Sequence, residues 1–173
     1  MKTKINSSVN QRLKIAIGLG NPGKSYAKTY HNAGLLFIEY SKGQNLLPMH
    51  FTLFASDVFM NESGRFVAET LRKTGAKPEE MLIIHDDSDI EIGKFKLSFG
   101  QSSAGHKGVE SVIMALGTKN FWRLRIGVRS PQNEGKSRKK ADEFVLKKIG
   151  KYQEKIIKKV FGGALLKISE ISD

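Results

Sequence analysis

The chain has 173 residues, with 29 Lys plus Arg against 17 Asp plus Glu, a net charge of +12, and no cysteine. That length suits one domain, and the missing thiols exclude disulfides, thiolate nucleophiles and thiolate metal sites. No apolar run approaches the ~20 residues needed to cross a bilayer, and the polar opening "MKTKINSSVNQR" lacks the apolar stretch of a secretory signal, so a cytoplasmic setting is expected.

Residues 1–13 read as a loose arm and residues 14–173 as a single domain. Residues 14–19 form a buried strand, and "HNAGLLFIEY" opens a helix whose Leu35, Leu36 and Ile38 fall near helical spacing. A weak strand occupies residues 50–54. A helix starts at Ser63, a capping residue type, carries Phe66, Val67 and Leu71 on one face and stops at Gly75. "MLIIHDD" from Met81 is a fully apolar strand ending in charge, the way a central strand delivers polar groups to a site.

In "GKFKLSF", Phe95, Leu97 and Phe99 alternate with polar residues as a half-buried strand requires. "KGVESVIMALG" is an amphipathic helix ending at Gly117, and "WRLRIGV" is another strand. "SPQNEGKSRKK" is a flexible basic loop, followed by helical stretches from Ala141 to about Ile168. The alternation of strands and helices predicts an α/β three-layer sandwich around a mixed, mostly parallel sheet flanked by helices.

The charge is uneven. Between Phe121 and Val160 there are thirteen Lys or Arg against four Asp or Glu. Such an excess points to a polyanion, nucleic acid ahead of membrane, because neutralised phosphates release counterions; a solvated basic surface is the bland alternative.

"IAIGLGNPGKSYAKTYHN" holds Gly18, Gly20 and Gly23 in a Gly-x-Gly-x-x-Gly pattern, with Glu39 where a ribose-binding carboxylate would stand. A dinucleotide site needs a long crossover helix after the third glycine, and a parallel crossover takes about a dozen residues. Asn21-Pro22-Gly23 is instead a turn, and the β-branched, aromatic and glycine residues that follow oppose such a helix. A Walker loop also fails for want of Gly-Lys-Ser/Thr. What remains is a tight turn exposing Asn21 at a strand end, with His31 beside Asn32 ten positions later. An Asn amide both donates and accepts, and a His is a base near neutral pH or merely a helix cap. His85 is an alternative base, ranked lower because it borders a buried strand. Asp86, Asp87 and Asp89 form either a solvated loop or a divalent-metal cluster, without EF-hand spacing to support the latter.

Five collinear blocks then resemble the bacterial-type peptidyl-tRNA hydrolase family: "GLGNPGKSYAKTYHNAG", "FMNESG", "HDDSDIEIGKFKLSFG", "AGHKGVESVIMALGTKNFWRLRIGV" and "ADEFVLKKI". The resemblance implies a single α/β domain that acts as a monomer, without metal, cofactor or obligatory protein partner, and hydrolyses the ester joining a peptide to tRNA. It implies His31 as the general base, Asp86 as its acidic partner and Asn21 as the residue recognising the N-blocked aminoacyl end. Asn61 falls where the substrate or attacking water is hydrogen-bonded, and Tyr26 and Phe59 on tRNA or peptide contacts. A tRNA substrate gives Lys107, Arg129, Lys136, Arg138, Lys139 and Lys140 a role at phosphates, positioning RNA without reading its sequence.

The chain also departs from the family pattern. Lys107 stands where Asn is usual, Tyr30 replaces the usual Arg, "GQSSAG" is poorer in glycine, and only 29 residues separate His31 from Asn61. An edge hairpin of the sheet, or part of the cleft wall, is expected to be reduced. The alternative function is an RNA-binding relative with weakened catalysis.

Overall fold

Met81, Leu82, Ile83 and Ile84 are fully buried, as an apolar strand covered on both faces must be. They open strand β3, Met81–Glu91, the centre of a five-stranded sheet in the computed structural model, which describes residues 12–44, 46–48, 50–130 and 144–172. The other strands are β1, Ile15–Gly18, β2, Thr52–Ala55, β4, Phe95–Phe99, and β5, Trp122–Arg129. Their order is β2-β1-β3-β5-β4. The pairs β1 with β2, β1 with β3 and β3 with β5 are parallel, and β4 with β5 is antiparallel. The sheet is therefore mixed and mostly parallel.

Side chains that alternate along a strand fill opposite layers. Leu82, Ile84, Leu124 and Ile126 pack with Phe37 and Ile38 of helix α1, Ala33–Lys42, and with Phe161 and Leu165 of α4, Lys151–Ser172. Ile17 and Ile83 face Val67 and Leu71 of α2, Ser63–Thr74, and Val109 and Val112 of α3, Lys107–Leu116. Helices on both faces complete the three-layer α/β sandwich.

Two glycines set the layer spacing next to the site. A Cβ on Gly18 would collide with the Gly34 carbonyl, and one on Gly64 with the Ser111 carbonyl. The first contact seats α1 on β1; the second seats α2 on α3. Any larger residue would push the helix off, because backbone carbonyls have nowhere to yield.

Some boundaries differ from expectation. β3 runs past Asp87 to Glu91 with a register shift against β5 between those residues. Of the helical stretches expected from Ala141, Phe144 and Val145 are helical, but the helix then breaks: Lys148 forms an isolated antiparallel bridge with Thr29, and the Ile149 N–H donates to the Lys28 carbonyl at 2.8 Å. Backbone pairing to the His31 turn captures these residues, and the long helix starts only at Lys151 and continues to Ser172. At the other end, Leu13 is buried and Arg12 Nε donates to the Ser172 carbonyl at 2.9 Å, so these two residues of the expected loose arm are tied to the domain. Residues 1–11 lie outside the described residues.

Candidate active site

Strand β1 ends at Gly18, and the chain then turns through Gly20 and Asn21. Asn32 fixes that turn at two points: the Asn21 N–H donates to Asn32 Oδ1 at 2.8 Å, and Asn32 Nδ2 donates to the Asn21 carbonyl at 2.9 Å. Asn32 closes the 3-10 turn Tyr30–Asn32 that leads into α1. The residue between, His31, is thereby held at a fixed distance from Asn21. The sequence suggests an exposed Asn21, whereas its side chain is buried, and Oδ1 accepts the Met60 N–H at 2.8 Å. That bond ties the 3-10 turn Met60–Glu62, which carries Asn61, to the end of β1. Asn21 keeps its Nδ2 donor group for the cavity that it lines.

His31 Nδ1 lies 2.9 Å from Asp86 Oδ1. Asp86 stands on β3 and is almost wholly buried, so its charge must be met by donors. A second donor comes from His106, whose Nε2 lies 3.0 Å from the same oxygen. The tautomer of His106 follows from its other nitrogen: Nδ1 accepts the Val109 N–H at 3.3 Å as the N-cap of α3, so Nε2 carries the proton. For His31, donation from Nδ1 to the carboxylate leaves Nε2 with a free lone pair. Burial alone would push the Asp86 carboxyl up, but the charge and hydrogen bonds of His106 and His31 outweigh it and hold it well below the usual carboxylate range. Asp86 is therefore an anion at any working pH.

These groups line a cavity of about 420 Å³. Asn21, His31, Asn61 and His106 form its polar side, and Phe59, Val145 and Leu146 its apolar side; Lys107 also lines it. Tyr26 is not among the residues of the wall and meets Phe59 edge-on, with ring centroids 6.2 Å apart. The loop beside His106 holds Ala104 at a left-handed φ of 51°. Tyr30 turns away from the cavity, stacks on Phe144 at 4.7 Å and so pins the 144–149 segment against the His31 turn. Its hydroxyl pKa is raised by burial.

The structure brings together Asn21, His31, Phe59, Asn61, Asp86 and Lys107. Arg129 is not among the cavity residues and sits 3.8 Å from Glu91. Lys136, Arg138, Lys139 and Lys140 fall outside the described residues. His85 is buried inside the sheet, where desolvation, then the nearby His106, press its pKa well below the ordinary value, so it is not a solvent-facing base. Asp87 is occupied by Arg125 Nε at 2.7 Å and by the Asp89 N–H at 2.8 Å, which leaves Asp86 as the partner of His31. Sequence reasoning missed His106 and the Asn32 clamp. A histidine following "SSAG" and immediately preceding an amphipathic helix was the available signal for His106, but histidine is an unusual N-cap and the pattern passed for a plain turn.

Among the described residues, His31, Asp86 and His106 also form the one group with metal-ligand character, their ligand atoms within 4.8 Å of one another. The hydrogen bonding of His106 opposes that use. A ligating histidine gives its lone pair to the metal and donates from the other nitrogen. The single lone pair of neutral His106, on Nδ1, is already taken by the Val109 N–H, and its Nε2 donates to Asp86.

Comparison with known proteins gives the family of the chain. Residues 15–172 match the family model described as Peptidyl-tRNA hydrolase. The peptidyl-tRNA hydrolase of Lactobacillus johnsonii (strain CNCM I-12250 / La1 / NCC 533) is 35% identical over 166 residues, covering 86% of this chain and 87% of the relative. That of Aquifex aeolicus (strain VF5) is 36% identical over 182 aligned positions, covering 92% of each chain. The crystal structure of peptidyl-tRNA hydrolase from Acinetobacter baumannii superposes with a TM-score of 0.80 at 28% identity, over 92% of this chain and 88% of that one. Matched in sequence over nearly its whole length and in fold to solved members, the chain belongs to the peptidyl-tRNA hydrolase family.

Proposed function

We propose that His31 is the general base of this enzyme, taking a proton from water through Nε2 while Asp86 offsets the imidazolium charge. The reaction is hydrolysis of the ester between a peptide and tRNA, the activity of the family. A single observation supports the assignment of the base: His31 Nδ1 is committed to Asp86 at 2.9 Å while the ring lines the cavity. General base catalysis contributes about 10² to 10⁴ in rate, or roughly 3 to 5 kcal/mol. The Nδ2 group of Asn21 is a donor for the substrate carbonyl as it becomes an oxyanion, worth about 3 kcal/mol if well aimed. Its Oδ1 is already held by the Met60 N–H, so the amide cannot rotate without losing that bond.

Asn61 orients water or the substrate from the facing turn. Phe59, edge-on to Tyr26, offers an apolar face to the peptide or the terminal base, and Lys107 a cation to a phosphate. Lys24, Lys28, Lys147 and Lys148 are exposed around the bridge between Thr29 and Lys148, next to the base. They extend the expected set of phosphate contacts beyond Arg129, Lys136, Arg138, Lys139 and Lys140. The enzyme works as a cytoplasmic monomer, without metal, cofactor or obligatory protein partner; among the described residues no helix is long and apolar enough to cross a membrane.

The test is release of labelled peptide from N-acetyl-aminoacyl-tRNA by wild type and by His31→Ala. Loss of about 10² to 10⁴ in kcat is expected for the variant. Wild-type turnover no faster than buffer would favour the weakened, RNA-binding alternative, and an active variant would remove His31 from the role of base.

A further inference from the structure

His85 is a buried imidazole that the reaction leaves unused. Its side chain sits in β3 immediately before Asp86, and its relative exposure is 2%. Nδ1 donates to the Asp86 carbonyl at 2.6 Å, which leaves the lone pair on Nε2, and that buried atom has no partner. A buried polar group with an unmade bond costs stability, and an apolar side chain would fill the same space at lower cost. The contact that gives it a use is with His106: the two ring centroids are 4.6 Å apart at 65°, so the edge of one ring meets the face of the other. His106 also meets His31, at 5.0 Å and 45°. His106 thus touches two imidazoles, with its Nε2 on Asp86 and its Nδ1 on α3. The titratable or charged groups acting on His85 are His106, Asp86 and Arg123.

We propose that His85 is a positioning residue: it braces the His106 ring and pins the Asp86 backbone, so that the Nε2 proton of His106 stays on the carboxylate that serves His31. Two donors then share one Asp86 oxygen, and His106 draws off part of the charge that His31 would otherwise feel. The order is His85 to His106, His106 to Asp86, Asp86 to His31. A loosened His106 leaves a more basic environment around His31 and a base that is less well aimed.

The inference rests on His31 being the base, so two readouts are needed. His85→Leu removes both ring and donor while remaining apolar; His85→Phe keeps a ring without the donor. In the peptide-release assay, kcat of His85→Leu falls about tenfold with KM within about twofold, and the acidic limb of its pH–rate profile moves up by roughly half a unit. His85→Phe shows the same changes at smaller size. Independently of turnover, the imidazole proton signal of His106 Nε2 in the NMR spectrum shifts upfield or is lost to exchange in both variants. If only one variant folds, that variant decides. An unmoved acidic limb together with an unmoved His106 signal overturns the inference, as does a fall in kcat with both unmoved, which marks a merely structural residue. An inactive wild type would instead defeat the base assignment, while the NMR signal would still decide the link from His85 to His106.

Discussion

The substitution Asp86→Asn separates charge from geometry at the site. Both histidines address the same oxygen, Oδ1, at 2.9 and 3.0 Å. The amide that replaces the carboxylate can place its carbonyl oxygen there and keep both hydrogen bonds, so the tautomers of His31 and His106 survive and only the negative charge is lost. Two unit charges about 4 Å apart interact by about 4 kcal/mol at an effective dielectric of about 20. A transition state that has only partly formed the imidazolium realises about half to all of this. The expected cost is therefore about 2 to 4 kcal/mol, or roughly 30- to 900-fold in kcat. Removing an anion also makes the imidazole a weaker base, so the acidic limb of the pH–rate profile moves to lower pH. That is the opposite direction from the one expected for the His85 variants. Single-turnover peptide release between about pH 5 and 9, at saturating enzyme, measures both quantities. A variant within about threefold of wild type, or one whose acidic limb moves upward, would refute the reasoning that the Asp86 charge stabilises protonated His31.

Further expectations follow from other parts of the molecule. His85 has a depressed pKa when folded, so below the ordinary His value of about 6.5 the unfolded chain binds a proton that the native state refuses, and stability falls as pH falls. This destabilisation grows as pH falls below that value, and His85→Phe should lack that part of the slope in urea titrations at pH 7 and pH 5; an unchanged slope counts against it. Ala104→Gly relieves a left-handed φ that costs a Cβ-bearing residue ~1–2 kcal/mol, less the ~0.5–1 kcal/mol entropy of glycine. The midpoint in urea should therefore rise by the equivalent of about 0.5 to 1 kcal/mol, and a lower midpoint would contradict the strain. Substituting Lys28 and Lys147 together by Ala should reduce the slope of log K for tRNA against log salt by roughly 1.5; weaker binding with the wild-type slope would place the phosphates elsewhere.

The elements and the layers were legible in the sequence because their causes are local. Met81 to Ile84 has no polar position, so it had to be a covered strand; Phe66, Val67 and Leu71 repeat at helical spacing and end at Gly75, whose φ of 69° is the left-handed stop that a glycine favours. The blocks that carry the resemblance single out His31 and Asp86, which the fold brings to 2.9 Å of one another, and a turn after one strand and a run of acids within another are both short-range patterns. The break in the helix after Val145 was not legible because there the helical composition loses to a long-range backbone pairing with Thr29 and Lys28, which no local pattern reports.

By itself the sequence determined an α/β chain with a basic surface, a turn rather than a cofactor loop at Gly18 to Gly23, and a histidine and a carboxylate 55 positions apart that belong to one site. Only the tertiary structure decided how they are held. Three histidines from three different elements converge on one buried oxygen's surroundings: the partner of His31 is Asp86, 55 positions away, while the Val109 N–H beside His106 and the Asp86 carbonyl beside His85 are local partners that set the tautomers with which those rings meet the site. Likewise Asn21 lies inside rather than exposed, because its oxygen is needed to fasten the turn that carries Asn61. Residue types fix which protons can move, but a buried group's partners fix which ones do, and those partners meet only when the chain has folded.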